Sequence, residues 1–171
     1  MKFLCGALTG LMFIAAVPAH AQVSKSGYTL PLDLALEAAR EAARVCEGNG
    51  YNVTVTLVDV AGVPKVVLRG DHSTIHTRDT SFRKAYTVVT MGPIFHFDVT
   101  STFAELVAKY PNGAGQALAN TPNVVGLPGG AAIKTGDEIV AGIGVGGSPG
   151  GDKDEACAKA GVAKISDRLP R

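Results

Sequence analysis

The chain has 171 residues, of which 46% are hydrophobic and 18% charged, and its formal net charge is +1. This length is enough for one domain with a single core. The sequence has no basic stripe and no block of like charges. It therefore argues against a nucleic-acid-binding protein, whose affinity depends on neutralising phosphates.

The first 21 residues have the pattern of a secretory signal peptide. Lys2 gives a positive start, an apolar run covers residues 3–17, and residues 19–21 (Ala-His-Ala) form a small-x-small cleavage pattern. The apolar run is shorter than the roughly 20 residues that cross a bilayer as a helix, although an uncleaved anchor is the alternative. We therefore expect one domain over residues 22–171, periplasmic or secreted, with no membrane insertion after cleavage.

The first half of the mature chain predicts a helix, a hairpin and a second helix. Apolar residues at helical spacing indicate a helix from Leu32 to Cys46. Alternating, β-branched segments indicate strands over 51–58 and 63–69. A capping loop precedes a helix at about 75–90, which we expect to end at Gly92-Pro93.

The second half predicts a shorter helix, a long loop, a second hairpin and a last helix. The helix lies at about 100–109, the Gly-, Asn- and Pro-rich loop at 112–123, and the strands at 127–133 and 139–145. The last helix carries Cys157. The order α-β-β-α-α-β-β-α joins strands by hairpins, so it predicts an antiparallel sheet and an α+β fold.

Two cysteines remain after removal of the signal segment, which contains Cys5. In an oxidising compartment Cys46 and Cys157 are a candidate disulfide. The alternative is a pair of small buried apolar side chains that never meet. No CxxC spacing accompanies them, so a metal site formed by this pair is not expected.

Three histidines are candidate metal or haem-iron ligands or acid–base groups. His72 and His76 lie where a loop enters the second helix, and His96 lies between Phe95 and Phe97, in a setting that suits a flat ligand. The alternatives are exposed or hydrogen-bonded histidines and, for His96, a hydrophobic loop packed on the core.

Glycine clusters and basic residues give weaker signals. The glycine-rich runs at 127–130 and 142–147 allow close backbone approach to an anion, but no P-loop or dinucleotide-binding pattern accompanies them, and tight strand packing explains them equally well. Four basic residues, namely Arg69, Arg78, Arg83 and Lys84, are either partners for ligand carboxylates or solvated charges.

Short motifs follow one another along nearly the whole mature chain. They are LVDVAG at 57–62, RGD at 69–71, RKAYT at 83–87, PGG at 128–130, GIGVGG at 142–147 and DEACA at 154–158. In this order they resemble the GlcG/HbpS family of haem-binding proteins. One departure is Gly146, where the family usually has serine, which argues against a role for that hydroxyl here.

The resemblance implies a profilin-like fold with an antiparallel sheet of about five strands flanked by helices, often assembled into homo-oligomers. A fifth strand would lie near residues 123–126. The resemblance also implies binding of a tetrapyrrole such as haem b.

Three functions remain open from the sequence. The first is an exported protein that sequesters, carries or senses haem, with His76 or His96 as iron ligand, His72 nearby, and Arg83 and Lys84 meeting the propionates. The second is an enzyme acting on haem or a small organic acid, with His76 or Asp71 as acid–base group. The third is an oligomeric accessory module of a signalling or uptake system.

Overall fold

The computed structural model describes residues 25–171, so the predicted signal peptide lies outside the described residues. Nine helices and strands and one short 3₁₀ turn follow one another in this part of the chain. They are α1 (Leu32–Gly48), β1 (Thr54–Asp59), β2 (Pro64–Arg69), α2 (Thr77–Phe95), α3 (Thr100–Lys109), α4 (Ala114–Ala119), β3 (Gly130–Thr135), β4 (Glu138–Gly146), α5 (Gly151–Ile165) and the 3₁₀ turn Ser166–Arg168. Within residues 25–171 no helix is both long and apolar enough to cross a membrane.

The strands form one antiparallel sheet in the order β2-β1-β4-β3. This confirms the predicted antiparallel α+β fold. The sheet has four strands and not about five, because residues 123–126 form no strand. Their backbone groups bond to α2 instead: Arg83 donates to the Val124 carbonyl (2.5 Å), and the Val125 N–H donates to the Thr87 hydroxyl (2.9 Å).

Two further details differ from the predictions. Helix α4 lies inside the stretch 112–123 that was predicted to be a loop, where Ala114–Ala119 form one short helical segment between glycine- and asparagine-rich ends. Helix α2 continues past Pro93 to Phe95. A proline lacks only its own N–H, so the residues that follow it can complete the last turn.

The two faces of the sheet carry different helices. Val55, Leu57 and Ile143 face α1 and α5 and form the main apolar core with the alanines of those helices. Thr54 and Thr56, which alternate with these residues along β1, face α2. There they bond to buried hydroxyls, with Thr54 Oγ1 2.7 Å from Thr77 Oγ1 and Thr56 Oγ1 2.8 Å from Ser81 Oγ.

The alternate glycines of β4 let α2 lie directly on the sheet. A Cβ at Gly142 would lie 2.5 Å from the Ala85 carbonyl oxygen, and one at Gly144 would collide with the Ser81 carbonyl oxygen. The helix backbone therefore occupies the space that side chains of β4 would take. The glycine-rich run at 142–147 serves helix–sheet packing, the simpler of the two interpretations of that motif.

Cys46 of α1 and Cys157 of α5 are joined by a disulfide, with the Cα atoms 5.7 Å apart. Both cysteines are buried in the main core. The bond connects positions 111 residues apart, and so links the first and last helices of the fold.

We predict that replacing both cysteines by serine lowers the free energy of unfolding by about 4 kcal/mol, because the unfolded chain loses a long covalent loop. Urea unfolding of the oxidised protein and of the Cys46→Ser/Cys157→Ser variant measures the difference. Adding a thiol reductant should destabilise the native protein and leave the double variant unchanged. Equal unfolding midpoints for the two proteins would contradict the prediction.

Candidate functional site

Helix α2 separates the candidate histidines. His76 immediately precedes the helix and His96 immediately follows it. At a rise of 1.5 Å per residue, the two positions lie roughly 30 Å apart. One chain therefore cannot use both as ligands of a single iron, and the site has to be sought at one end of α2 or the other.

The end of α2 that carries His72 and His76 is an exposed loop built on a buried hydroxyl cluster. Ser73 lies 3.0 Å from Thr54 and 2.8 Å from Thr77, oxygen to oxygen. Both histidines are exposed, and neither lines the cavity described next. The buried cluster holds this loop in place, while the two histidines remain exposed to solvent.

The other end of α2 opens on a cavity of about 840 Å³. This volume lies within the range of small-molecule and cofactor sites. His96 lines it, as do the apolar side chains of Val89, Phe97 and Ile139. Of the three histidines, His96 alone combines an imidazole with an apolar wall, as its aromatic neighbours in the sequence suggested.

The backbone fixes His96 at the cavity. It caps α2 in the left-handed conformation, with φ of 55°, and its N–H donates to the Gly92 carbonyl. A Cβ at Gly92 would lie 2.8 Å from both the Ile139 side chain and the Phe97 carbonyl oxygen. The end of α2 thus packs tightly against β4, and His96, which follows the helix, lines the cavity.

Charged residues surround the cavity opening. Lys134 at the end of β3 pairs with Asp98 at 3.1 Å, and both are partly exposed. Glu138 accepts hydrogen bonds from the backbone N–H groups of Lys25 (2.6 Å) and Ser26 (3.0 Å), which brings the start of the described chain to the same opening.

Sequence reasoning did not single out these charged residues. Lys134 and Glu138 were assigned only to a hairpin turn, and polar residues are usual in such turns. The local sequence does not indicate that this turn lies next to the end of α2, because that proximity depends on how the helix crosses the sheet.

The two residues of α2 that were expected to meet the propionates, Arg83 and Lys84, have structural partners. Arg83 is half-buried and bonds to the Val124 carbonyl. Lys84 is buried: its side chain is 4% exposed and its ammonium lies 2.6 Å from a carboxylate oxygen of Asp154, whose side chain is also 4% exposed. The structure therefore places Lys84 in a buried ion pair and not at a surface where it would meet a propionate.

The surroundings of this ion pair are fully hydrogen-bonded. Lys84 also donates to the Val145 carbonyl (2.9 Å), and the Ser148 N–H donates to the second carboxylate oxygen of Asp154 (3.0 Å). Gly129, with φ of 128°, passes so close that a Cβ there would lie 2.6 Å from the Lys84 nitrogen. The ion pair joins α2, β4 and α5 at one point.

Within residues 25–171 no three His, Cys, Asp or Glu side chains are grouped so that they could hold a metal ion. A porphyrin supplies four nitrogen ligands of its own, so a single histidine is enough to hold its iron from the protein side. His96 beside an apolar wall fits a haem in this sense.

Comparisons with known proteins agree on one family. A family model described as haem degrading protein HbpS-like matches residues 30–163. The fold is similar to that of a double mutant of HbpS from Streptomyces reticuli, with 36% identity and a TM-score of 0.72 over 87% of this chain and 95% of that one. No curated protein matches the chain.

Two more distant structures share the fold alone. ORFY from Klebsiella pneumoniae is 20% identical with a TM-score of 0.72, over 84% of this chain and 94% of that one. PduOC, solved as a complex with haem, is 22% identical with a TM-score of 0.70, over 81% of this chain and 96% of that one.

We predict that Asp154→Asn lowers the free energy of unfolding by about 3 kcal/mol or more, because it leaves the buried Lys84 ammonium without a counter-charge. Denaturant unfolding measures the loss. Asp98→Asn, which breaks an exposed ion pair, is the matched control and should cost less than about 1 kcal/mol. Similar losses in the two variants would show that Lys84 and Asp154 do not form a structural centre.

Proposed function

The chain belongs to the HbpS-like family, and from this we propose that it is an exported protein that binds haem b in the cavity beside His96. The family match and the haem bound to a protein of the same fold support the choice of ligand. We choose this site because the His96 imidazole and a wall of apolar side chains line the same cavity.

The apolar wall suits the face and edge of a porphyrin. Val89, Phe97 and Ile139 line the cavity, and Phe97 is held by ring contact with the buried Phe103, at 5.6 Å between ring centroids. Covering a porphyrin with such side chains removes apolar surface from water, which stabilises the complex by about 25 cal/mol per Å² buried. This wall is preformed in the structure, so little ordering is required on binding.

His96 would supply the protein ligand to iron. The carbonyl end of α2 carries partial negative charge, which favours a positively charged ferric centre next to it. The bond from the His96 N–H to the Gly92 carbonyl fixes the backbone and leaves the imidazole nitrogens available. Bound haem would contribute iron chemistry and a visible absorption spectrum, while the chain contributes the ligand and the apolar contacts.

Lys134 and Lys25, which line the same cavity, would meet the propionates. An exposed ion pair typically contributes less than about 1 kcal/mol to stability. Little free energy would therefore be lost if Lys134 exchanged the Asp98 carboxylate for a propionate. This assigns to Lys134 the role that the sequence had suggested for Arg83 and Lys84.

The disulfide supports the proposed export. Disulfides form and persist in oxidising compartments such as the periplasm and the extracellular space, and they are rare in a reducing cytosol. The Cys46–Cys157 bond is buried between α1 and α5 and is therefore part of the folded structure. We expect the protein in the exported fraction to begin at Gln22, and mass spectrometry of that fraction tests the cleavage site. Homo-oligomer formation is included in the proposal and is measured by sedimentation.

We predict that His96→Asn abolishes the haemin-induced Soret shift or weakens haemin binding by at least about tenfold, equivalent to 1.4 kcal/mol or more. The measurement is a spectroscopic titration of protein purified from the exported fraction. Asparagine is chosen because it tolerates the left-handed backbone at this position and removes the imidazole.

His72→Asn and His76→Asn are the matched controls, and each should change the affinity by less than about twofold. Unchanged haemin binding in His96→Asn, or loss only in a control, would move the site away from the cavity. Because the matched family is described as haem degrading, the same titration is repeated with a reductant. Progressive loss of the Soret band would show turnover in place of simple binding.

A further inference from the structure

The sequence contains five asparagines, and two of them, Asn49 and Asn112, precede glycine. An Asn-Gly pair is open to deamidation, because glycine has no side chain to shield its backbone nitrogen from the neighbouring amide group. The other three asparagines precede valine or threonine, whose branched side chains crowd that nitrogen. The chain therefore offers two candidate sites for this modification, and their surroundings in the fold can be compared directly.

Deamidation of such a pair needs no reactant other than water. The glycine N–H loses its proton and the nitrogen attacks Cγ of the asparagine, so that a succinimide ring closes as the Cγ–Nδ2 bond breaks and ammonia leaves. Water then opens the ring: attack at Cγ gives aspartate, and attack at the backbone carbonyl gives isoaspartate, in which the main chain runs through the former side chain. Because the first step is loss of an amide proton, a hydrogen bond that protects the glycine amide from exchange also slows deamidation.

The fold holds the Asn49–Gly50 pair at the end of α1. The Gly50 N–H donates to the Glu47 carbonyl (2.8 Å), so its proton is accessible only when that bond opens. The Asn49 side chain donates from Nδ2 to the Val45 carbonyl (2.7 Å), and the Asn49 N–H donates to the Cys46 carbonyl (3.0 Å). Both the attacking nitrogen and the amide that it would attack are therefore fixed.

The Asn112–Gly113 pair lies in the turn between α3 and α4 and has no such bonds. Within residues 25–171 neither the Asn112 side chain nor the Gly113 N–H forms a hydrogen bond. Both pairs are exposed, and a Cβ at Gly113 or at Gly50 would meet no atom within 4 Å. Hydrogen bonding, and not access or space, distinguishes the two pairs.

We propose that Asn112 is a site of spontaneous deamidation by water, and that the fold protects Asn49 from the same reaction. Either product places a carboxylate in the turn before α4, where the native side chain is neutral. The isoaspartate product also lengthens the main chain by one methylene group. The modification is thus a change of charge and, in one of its two forms, a change of backbone length.

The turn around Asn112 has little room for a longer main chain. The Gly115 N–H donates to the Tyr110 carbonyl (3.1 Å), and a Cβ at Gly115 would collide with the carbonyl oxygens of Tyr110 and Val107. An added methylene between Tyr110 and Gly115 should open this hydrogen bond. It should also loosen α4, whose Leu118 packs against the apolar cluster that contains the buried Phe103.

The test incubates the folded, oxidised protein at physiological temperature and mildly alkaline pH. Mass spectrometry of peptides, produced by digestion at mildly acidic pH, measures the conversion of each asparagine. We expect Asn112 to convert at least about tenfold faster than Asn49 and to give both aspartate and isoaspartate. Equal rates, no conversion at Asn112, or aspartate without isoaspartate would overturn the proposal.

The unfolded chain is the control for protection by the fold. In reduced protein dissolved in guanidinium chloride, Asn49 and Asn112 should convert at rates within about threefold of each other. In the folded protein the Gly113 amide should exchange its hydrogen faster than the Gly50 amide. An Asn49 that stays slow after unfolding, or a Gly50 amide that exchanges as fast as that of Gly113, would show that these hydrogen bonds are not the cause.

Two variants separate the site from its structural effect. Asn112→Gln keeps an amide but needs a larger, less readily formed ring, so the acidic form that accumulates in the native protein on ion exchange should not accumulate in this variant. Asn112→Asp carries the charge without the longer main chain. The Gly115 amide should exchange faster in the isoaspartate fraction than in Asn112→Asp. Equal accumulation of the acidic form in Asn112→Gln would place the modification elsewhere, and equal Gly115 exchange would contradict the effect on the turn.

Discussion

Helix α2 lies so close to β4 that the carbonyl oxygens of the helix occupy the positions where side chains of the strand would be. Gly142, Gly144 and Gly146 make this contact possible, since a Cβ at any of them would meet atoms of α2. The same contact sets where the helix ends and which side chains surround it there. The cavity beside His96, the buried Lys84 and the hydroxyl pairs with β1 all depend on this one approach of helix to sheet.

The ion pair of Lys84 and Asp154 adds a second constraint on the same helix. It connects α2 to the beginning of α5, while the disulfide connects α5 to α1. Ser148 lies between them, with its N–H bonded to Asp154 and its hydroxyl 3.6 Å from the Cys46 sulfur. The helices on the two faces of the sheet are thus connected to each other around the end of β4.

Much of the fold followed from local pattern. Alternation in β1 and helical spacing in α1 reflect burial against the sheet, so the sequence carries these elements directly. The segment around Val124 was harder to predict, because its buried apolar residues resemble those of a strand. Its backbone groups instead form hydrogen bonds with side chains of α2. Helix α4 was missed because glycine and asparagine surround a single short turn of helix.

The candidate site was only partly accessible to sequence reasoning. His96 could be chosen from its aromatic neighbours, but its separation from His76 required the full length of α2. Lys84 was named as a candidate partner for the propionates, because nothing local in the sequence distinguishes a buried lysine from an exposed one. Its partner is distant in sequence, and long-range pairing of this kind depends on the assembled fold.

The strand order also determines when this protein can fold. The two central strands, β1 and β4, pair Thr54 with Gly146, so the middle of the sheet forms only after nearly the whole chain is available. Non-local pairing of this kind slows folding, because a large loop must close before the contacts that stabilise it form. The disulfide, which joins positions 111 residues apart, likewise closes only after nearly the whole chain is available.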